Sequence, residues 1–304
     1  MCGIVGLYRR GDSAETLLQT VESMNGAIFH RGPDESGHEL LDESLVLAMR
    51  RLSIIDLAGG HQPMSAMCIG NKMTIVFNGE IYNHSELRAE LETLGHRFAT
   101  DHSDTEVLLH SYEEWGTTFL SRLNGMFAFA LWDSAQKQLV LARDRFGKKP
   151  LYYTNAPTFF AFASELKSLF ASGLTSSRLN PNALVQYLSY DYVLSPSSMI
   201  QGVSKLPPGH FAIYAGSQLT IESFYQPNLD ELHISDSEAI EKLDELLEAA
   251  VRRRLVSDVP IGLFLSGGLD SSTIAYYLMK LGANLDSFSI GFEEVEFNES
   301  GYAA

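Results

Sequence analysis

Met1-Cys2-Gly3-Ile4-Val5-Gly6-Leu7 opens the chain, and the reading of this stretch decides the rest. An initiator Met before a small residue such as Cys is commonly trimmed, which would leave Cys2 at the amino terminus. A terminal Cys carries its own base, because its free α-amine has a pKa near ~7.7–8.0 and lies one residue-length from the thiol. That is what an N-terminal nucleophile requires. On position alone Cys2 reads first as a small residue packed into a strand, since free Cys is often buried. The remainder of the chain favours the nucleophile.

The totals narrow the field. The 304 residues are 45% hydrophobic and 20% charged, a globular composition whose length predicts two domains. A formal charge of −16 argues against nucleic-acid binding. Arg252-Arg253-Arg254 reads as a helix C-terminus matching its dipole. Cys2 and Cys68 are the only cysteines, so there is no disulfide framework, and a reducing, cytoplasmic setting is expected. Cys68 itself reads as a packing residue. Residues 1–25 lack a signal-peptide pattern, and no apolar run approaches the ~20 residues of a membrane span. The His residues lack metal-ligand spacing, so no transition-metal site is expected.

Hydrophobic patterning divides the chain. Strand-like runs fall at 3–8, 45–48, 73–77, 126–132, 138–142, 151–153 and 159–163, with 126–142 as a hairpin. Helical patterns fall at 14–28, 84–95, 104–114, 164–172 and 181–190. Hairpins followed by helices predict α+β layers over 2–215. Residues 216–235 read as a linker, and Ser235-Asp236-Ser237-Glu238 as a capping box. Residues 236–304 then give a helix, an apolar strand at 261–265, a glycine-containing loop, a helix from about 270 to 281 and a strand over 285–292. That order is a β-α-β unit and the start of a parallel sheet. One such unit cannot cover both faces of the sheet, so this second domain is read as incomplete.

Several further segments carry polar groups at strand ends and helix starts. They are His30-Arg31-Gly32-Pro33-Asp34, Arg51-Leu52-Ser53-Ile54, Phe77-Asn78-Gly79-Glu80-Ile81-Tyr82-Asn83, Ser103-Asp104-Thr105-Glu106, Gly125-Met126-Phe127-Ala128-Phe129 and Arg143-Asp144-Arg145-Phe146-Gly147. Together with Cys2-Gly3-Ile4-Val5-Gly6, and in this order, they resemble the class II glutamine amidotransferase domain of the glutamine-hydrolysing asparagine synthetase family. The resemblance implies an αββα four-layer N-terminal-nucleophile hydrolase fold. It implies that Cys2 attacks the side-chain amide of L-glutamine, with Asn78 and the Gly79 N–H as oxyanion donors. It places Arg51, Leu52, Ser53, Ile54, Asn78, Gly79, Glu80 and Asp104 around the substrate. Arg51 suits an α-carboxylate, and Asp104 with Glu80 suits an α-ammonium. Of the doublet Arg50-Arg51, only the residue directly before Leu52 aligns. His30 and Arg31 read as loop-shaping.

In the second part, Phe264-Leu265-Ser266-Gly267-Gly268-Leu269-Asp270-Ser271-Ser272 sits between strand and helix. Small residues at a helix N-terminus present N–H donors to an anion. The loop lacks a Gly-Lys-Ser/Thr end, so it is not a Walker A loop. It resembles the pyrophosphate loop of ATP pyrophosphatases, an α/β parallel-sheet fold. By that resemblance Leu265, Ser266, Gly267, Gly268, Asp270, Ser271, Ser272 and Ile290 bind ATP, with Mg²⁺ through Asp270; the glutaminase site takes no metal. The family transfers ammonia to an adenylated aspartate, giving asparagine, AMP and pyrophosphate. Another carboxylate acceptor, such as a sugar acid or secondary metabolite, and a non-catalytic regulatory module stay open as alternatives, as does a homodimer.

Overall fold

The computed structural model describes residues 2–68, 70–231, 233–294, 298 and 301; Met1, whose removal the sequence reading expects, lies outside them. The chain forms two compact units, residues 1–227 and 228–304.

The first unit runs β1 (Gly3–Tyr8), α1 (Ala14–Gly26), β2 (Glu35–Leu41), β3 (Leu45–Arg51), β4 (Met64–Cys68), β5 (Asn71–Ile81), α2 (His84–Thr93), α3 (Asp104–Trp115), β6 (Gly125–Asp133), β7 (Gln138–Arg143), β8 (Tyr152–Ala156), β9 (Phe159–Ala163), α4 (Leu166–Ala171), α5 (Pro181–Tyr190), β10 (Ser204–Lys205), β11 (His210–Ala215) and β12 (Gln218–Ser223). Two antiparallel six-stranded sheets result, ordered β10-β8-β9-β1-β3-β2 and β12-β11-β7-β6-β5-β4. Side chains alternate across a strand, so each sheet offers two faces. The facing sides share a core that includes Ile4, Leu47, Met49, Val76, Ala128, Trp132, Leu141, Phe160 and Phe162. The outer face of the first sheet packs Val5, Leu7, Val46 and Ala48 against Leu17, Val21 and Met24 of α1 and Leu169 of α4. The outer face of the second packs Ile75, Phe77, Phe127 and Phe129 against Leu87 and Leu91 of α2 and Val107 and Leu108 of α3. These are the expected four layers, αββα.

The differences from the sequence reading lie at sheet edges and strand ends. β2, β4 and β12 each close one edge of a sheet. β2 and β12 carry exposed polar residues, so they lack the apolar run that marks an inner strand. β12 falls within the stretch read as linker; its antiparallel register with β11, from Ala215↔Gln218 to His210↔Ser223, carries the sheet past residue 215. β5 and β3 are longer than expected. Asn78 and Gly79 do not follow a strand but lie within one, because β6 keeps pairing to Ile81↔Gly125. Arg51 is likewise the last residue of β3, opposite Glu35.

In the second unit, α6 (Asp236–Arg253) starts at the expected capping box: Ser235 Oγ accepts from the Glu238 N–H, and the Glu238 carboxylate accepts from the Ser235 N–H. β13 (Gly262–Phe264), α7 (Leu269–Lys280) and β14 (Asp286–Phe288) follow, the two strands pairing in parallel. The strand read over 285–292 is thus three residues long. Tyr277 and Lys280 of α7 bond Asp244 of α6. The unit's core holds Val251, Tyr277 and Leu278, while Phe264, Leu269 and Met279 are exposed. Among the described residues, no helix is long and apolar enough to cross a membrane.

Candidate functional site

Alternation along the strands brings one end of the inter-sheet layer together. Ile4 faces the second sheet, so Cys2, two residues earlier, faces it too and packs at the edge of that core. Leu47 and Met49 put Arg51 on the same face of β3. On β5, Val76 faces inward, which places Asn78 and Glu80 on the inner face as well. Cys2, Arg51 and Asn78, widely separated in sequence, thus share one layer.

Cys2 is a free, half-buried cysteine. Its thiol faces the Leu52 carbonyl at 3.6 Å, and the Leu52 N–H points back to the sulfur at 3.4 Å. Burial pushes the thiol up; the Leu52 hydrogen bond and the positive charges of Arg51 and Lys149 pull against it. The Cys2 carbonyl accepts from Arg31 Nε at 2.8 Å, and Arg31 Nη1 bonds Glu165 at 2.9 Å. Glu165 also meets His30 and Lys167. Burial would raise its carboxyl, but the hydrogen bonds from Arg31, His30 and Lys167 outweigh it and hold the group at about 2. The loop-shaping reading of Arg31 and His30 gains a specific object: they tether the backbone of Cys2 to the start of α4.

The 31–34 turn supports the neighbouring strand end. A Cβ on Gly32 would lie 2.3 Å from the Arg50 carbonyl carbon, so only glycine admits this approach. Asp34 accepts from the Ser53 N–H at 2.9 Å. Arg51 is buried, and its terminal nitrogens hold the carbonyls of Ile55, Asp56 and Leu57 and the carboxylate of Glu35. Arg51 therefore also folds the loop that carries Leu52, Ser53 and Ile54.

Asn78 is 1% exposed, and among the described residues neither its Oδ1 nor its Nδ2 has a hydrogen-bond partner. Buried amides are normally satisfied, so an orphaned pair is a feature to explain. Beside it, a Cβ on Gly79 would lie 2.1 Å from the Met126 carbonyl oxygen and 2.8 Å from Phe127 Cα. The close approach of β5 to β6 demands glycine here. The Asp104 carboxylate, at the first turn of α3, accepts from the Ile81 N–H at 3.1 Å. Burial raises Asp104 to about 6, and the nearby charge of Glu80 adds to the rise.

Three contributors escaped the sequence reading. Glu35 and Glu165 look like ordinary surface acids until the fold places them on Arg51 and Arg31. Lys149 follows the Arg143–Gly147 motif and is 5% exposed. The one signal available was that motif itself, whose Asp144 accepts from the N–H groups of Phe127, Phe146, Lys148 and Lys149 and so shapes the loop.

Away from this layer, Cys68, His110 and Glu113 bring ligating atoms within 4.8 Å of one another, a grouping that spacing alone did not reveal. His110 Nδ1 pairs with Glu113 at 2.9 Å, and burial with the surrounding carboxylates pushes the Cys68 thiol to about 12. The group closes as a hydrogen-bonded ion cluster under β4.

In the second unit, Leu265 extends β13: its N–H reaches the Phe288 carbonyl at 2.9 Å, and its carbonyl accepts from Ser289 Oγ at 2.6 Å. Gly267 has φ +78°, and Gly268 caps α7. Ser266 and Ser271 hydroxyls lie 3.2 Å apart across the loop. Asp270 occupies the first turn of α7, and Ile290 is exposed just beyond β14. All lie at the carboxyl ends of the parallel strands, where such sheets bind ligands.

Residues 1–225 match the glutamine amidotransferase domain family, and residues 242–304 match the asparagine synthase family. The chain is 40% identical over 302 residues to asparagine synthetase [glutamine-hydrolyzing] 1 of Bacillus subtilis, covering 98% of this chain and 47% of that protein. It is 36% identical over 283 residues to amidase chry2 of Gibberella zeae, covering 90% of this chain and 41% of that protein. The chain thus spans about half the length of these curated relatives. In three dimensions it is similar to glutamine phosphoribosylpyrophosphate amidotransferase from B. subtilis, with a TM-score of 0.55, 18% identity, and coverage of 97% of this chain and 67% of that one. That likeness bears on the fold alone.

Proposed function

The chain belongs to the glutamine amidotransferase family and matches the asparagine synthase family over residues 242–304, and from that premise we propose that it releases ammonia from L-glutamine at Cys2 for use in an ATP-dependent amide synthesis. The observation that carries the reading is the Cys2 thiol, held between the N–H and carbonyl of Leu52 while Arg31 grips the residue's own carbonyl.

In the proposed reaction, Cys2 sulfur bonds to the glutamine amide carbon as its proton passes to the α-amine exposed by loss of Met1. The developing oxyanion takes hydrogen bonds from Asn78 Nδ2 and the Gly79 N–H. The carbon–nitrogen bond then breaks; ammonia leaves with the proton from the α-amine, and a γ-glutamyl thioester remains. Water attacks the thioester, giving glutamate and restoring the thiol. Arg51 meets the α-carboxylate, and Asp104 with Glu80 meets the α-ammonium. Leu52, Ser53 and Ile54 form the adjacent wall.

The Leu265–Ser272 loop and Ile290 are the proposed ATP contacts. Backbone donors at the α7 N-terminus suit the phosphates, and Asp270 suits a hard Mg²⁺ ion brought with the nucleotide. Aspartate is the proposed acceptor, giving asparagine, AMP and pyrophosphate; a reducing cytoplasm is the expected setting. A second reading keeps the glutaminase step and transfers the ammonia to a different carboxylate; one relative of this chain carries a name other than asparagine synthetase.

Glutamate release from L-glutamine, measured on the wild-type chain and Cys2→Ala, tests the first step. Turnover lost only in the variant is expected; turnover retained by Cys2→Ala would sink the nucleophile assignment. Gly267→Val should weaken ATP binding and leave glutamate release intact.

A further inference from the structure

The loop between β3 and β4 begins at the Cys2 thiol, which the Leu52 N–H and carbonyl flank. Arg51 holds its middle through the carbonyls of Ile55, Asp56 and Leu57. Near its far end lies Gln62, which is 7% exposed. The Gln62 carbonyl rests against Gly37 of β2, where a Cβ would lie 1.9 Å from the oxygen. In its side chain, Oε1 accepts from the Phe77 N–H of β5 at 2.7 Å, and Nε2 donates to Thr105 Oγ1 of α3 at 3.2 Å. A backbone N–H only donates, so the amide has a single orientation and its NH₂ group is left for the threonine. The β4–β5 ladder stops at Met64↔Ile75. At Phe77 the Gln62 side chain thus takes the place of a neighbouring strand.

Both partners adjoin the candidate site. Phe77 directly precedes Asn78 and Gly79, and Thr105 directly follows Asp104. One buried side chain therefore ties the strand of the proposed oxyanion donors to the helix of the proposed ammonium ligand. On the other side of Asn78 and Gly79, the Ile81 N–H bonds to the Asp104 carboxylate at 3.1 Å. Around these ties the contact between β5 and α3 is apolar and includes Ile75, Phe77, Val107 and Leu108. Apolar packing is non-directional and leaves a helix free to settle at more than one position along a strand. A buried hydrogen-bonded bridge with both ends satisfied fixes one position.

We propose that Gln62 is a positioning residue for the substrate: its two-ended amide fixes the spacing between Asn78–Gly79 on β5 and Asp104 on α3, the span that one glutamine bridges from its γ-amide to its α-ammonium. The proposal rests on the reading of those residues as glutamine contacts. Gln62 itself touches no reacting atom. Its effect is on alignment, and a misplacement of about 1 Å in such a site costs about 10²-fold in rate.

The test has two arms on the 304-residue chain. One is L-glutamine binding by calorimetry in a Cys2→Ala background, which needs no turnover. The other is kcat and KM for glutamate release with Cys2 present. Gln62→Met removes both bonds and keeps the side chain's length. Thr105→Val removes the α3 end alone, and Thr105→Ser keeps the hydroxyl. Gln62→Met should weaken glutamine binding and lower kcat/KM by about ten- to hundredfold. Thr105→Val should lower kcat/KM by about three- to tenfold, as for one lost hydrogen bond, while Thr105→Ser stays close to the wild type. Both variants cut one bridge, so Gln62→Met with Thr105→Val should be no worse than Gln62→Met alone. A bridge that only stabilises the fold would lower the melting temperature and leave Kd, kcat and KM unchanged below the melt. That result in Gln62→Met overturns the proposal, as do additive losses in the double variant. If Gln62→Met does not fold, the threonine pair decides, and equal behaviour of the Val and Ser forms overturns it. Wild-type glutamine binding that the bridge variants leave intact removes Gln62 alone. A wild-type chain that neither binds nor hydrolyses glutamine strikes the functional reading, and the proposal with it.

Discussion

Replacing Asn78 by Leu should make the protein more stable and nearly inactive. Leu has the same branched outline as Asn but no polar atoms. Both polar atoms of Asn78 are buried without a partner among the described residues. Each such group costs about 1–3 kcal/mol, because the hydrogen bond to water is lost and nothing replaces it. Leucine removes both costs and adds apolar burial beside Val76 and Ala128 in the inter-sheet core. Its larger methyl groups oppose this, at about 1–3 kcal/mol for overpacking. The balance is a gain of about 1–3 kcal/mol. For a unit of this size each kcal/mol moves the melting temperature by about 2–4 °C, so the variant should melt roughly 2–12 °C higher. Losing one oxyanion donor should lower glutamate release by about 10²–10³-fold. Circular-dichroism melts and a coupled glutamate assay on the same samples check both arms. A variant that melts lower than the wild type would refute the reasoning, since the amide would then be bonded in the native state. A stable variant that keeps its turnover would detach Asn78 from the oxyanion.

Further predictions follow from the ionisable groups. Asp104 titrates near 6, so its anion, and with it the attraction for an α-ammonium, is lost as pH falls through that value. The KM for glutamine should rise below about pH 6, by up to about tenfold per unit, with kcat changing less; Asp104→Asn should have a high KM that ignores pH, and a flat wild-type KM would exclude the role. Glu106 is held at about 2: burial opposes its charge, but bonds from His110, Thr100 and the Ala99 and Thr100 N–H groups prevail. A depressed carboxyl stabilises the fold above its unfolded pKa, and that contribution disappears as pH falls toward 2. Glu106→Gln should therefore cost about 2–3 kcal/mol near neutral pH and flatten the acid limb of the melting curve; unchanged melting at neutral pH would show the bonds to be worth little. His110 acts with the opposite sign. It is raised, although burial works against it, by Glu106 and Glu113, so its stabilisation is present below its ordinary pKa and lost as pH rises through the raised one.

Much of the fold was legible because inner strands and amphipathic helices carry strong periodic signals. β1, β6 and β7 are almost wholly apolar, as strands covered on both faces must be. β2 and β12 were not legible, because an edge strand with a wet face can be built from Glu, Ser, Gln and Thr. The boundary near residue 215 moved for the same reason: the polar run from Gln218 to Ser223 resembles a linker until β11 offers it a ladder.

The sequence by itself determined which residue types are present: a Cys next to the initiator, an Asn-Gly pair, an Arg before Leu52, an Asp opening a helix, and a small-residue loop before α7. These are local facts, fixed by neighbours a few positions away. Only the tertiary structure decided what each one faces. Pairing of β5 with β6 turned Asn78-Gly79 from an apparent turn into the interior of a strand, with a Gly that nothing larger can replace. Strand alternation set Cys2, Arg51, Asn78 and Glu80 on facing sides of two sheets. The crossover from β7 to β8 then brought in Lys149, which no local pattern marks. Charges and hydrogen bonds act through space over a few ångströms, whereas sequence patterns report only neighbours along the chain, so partners such as Glu165, Glu35 and Lys149 become visible once the layers are stacked.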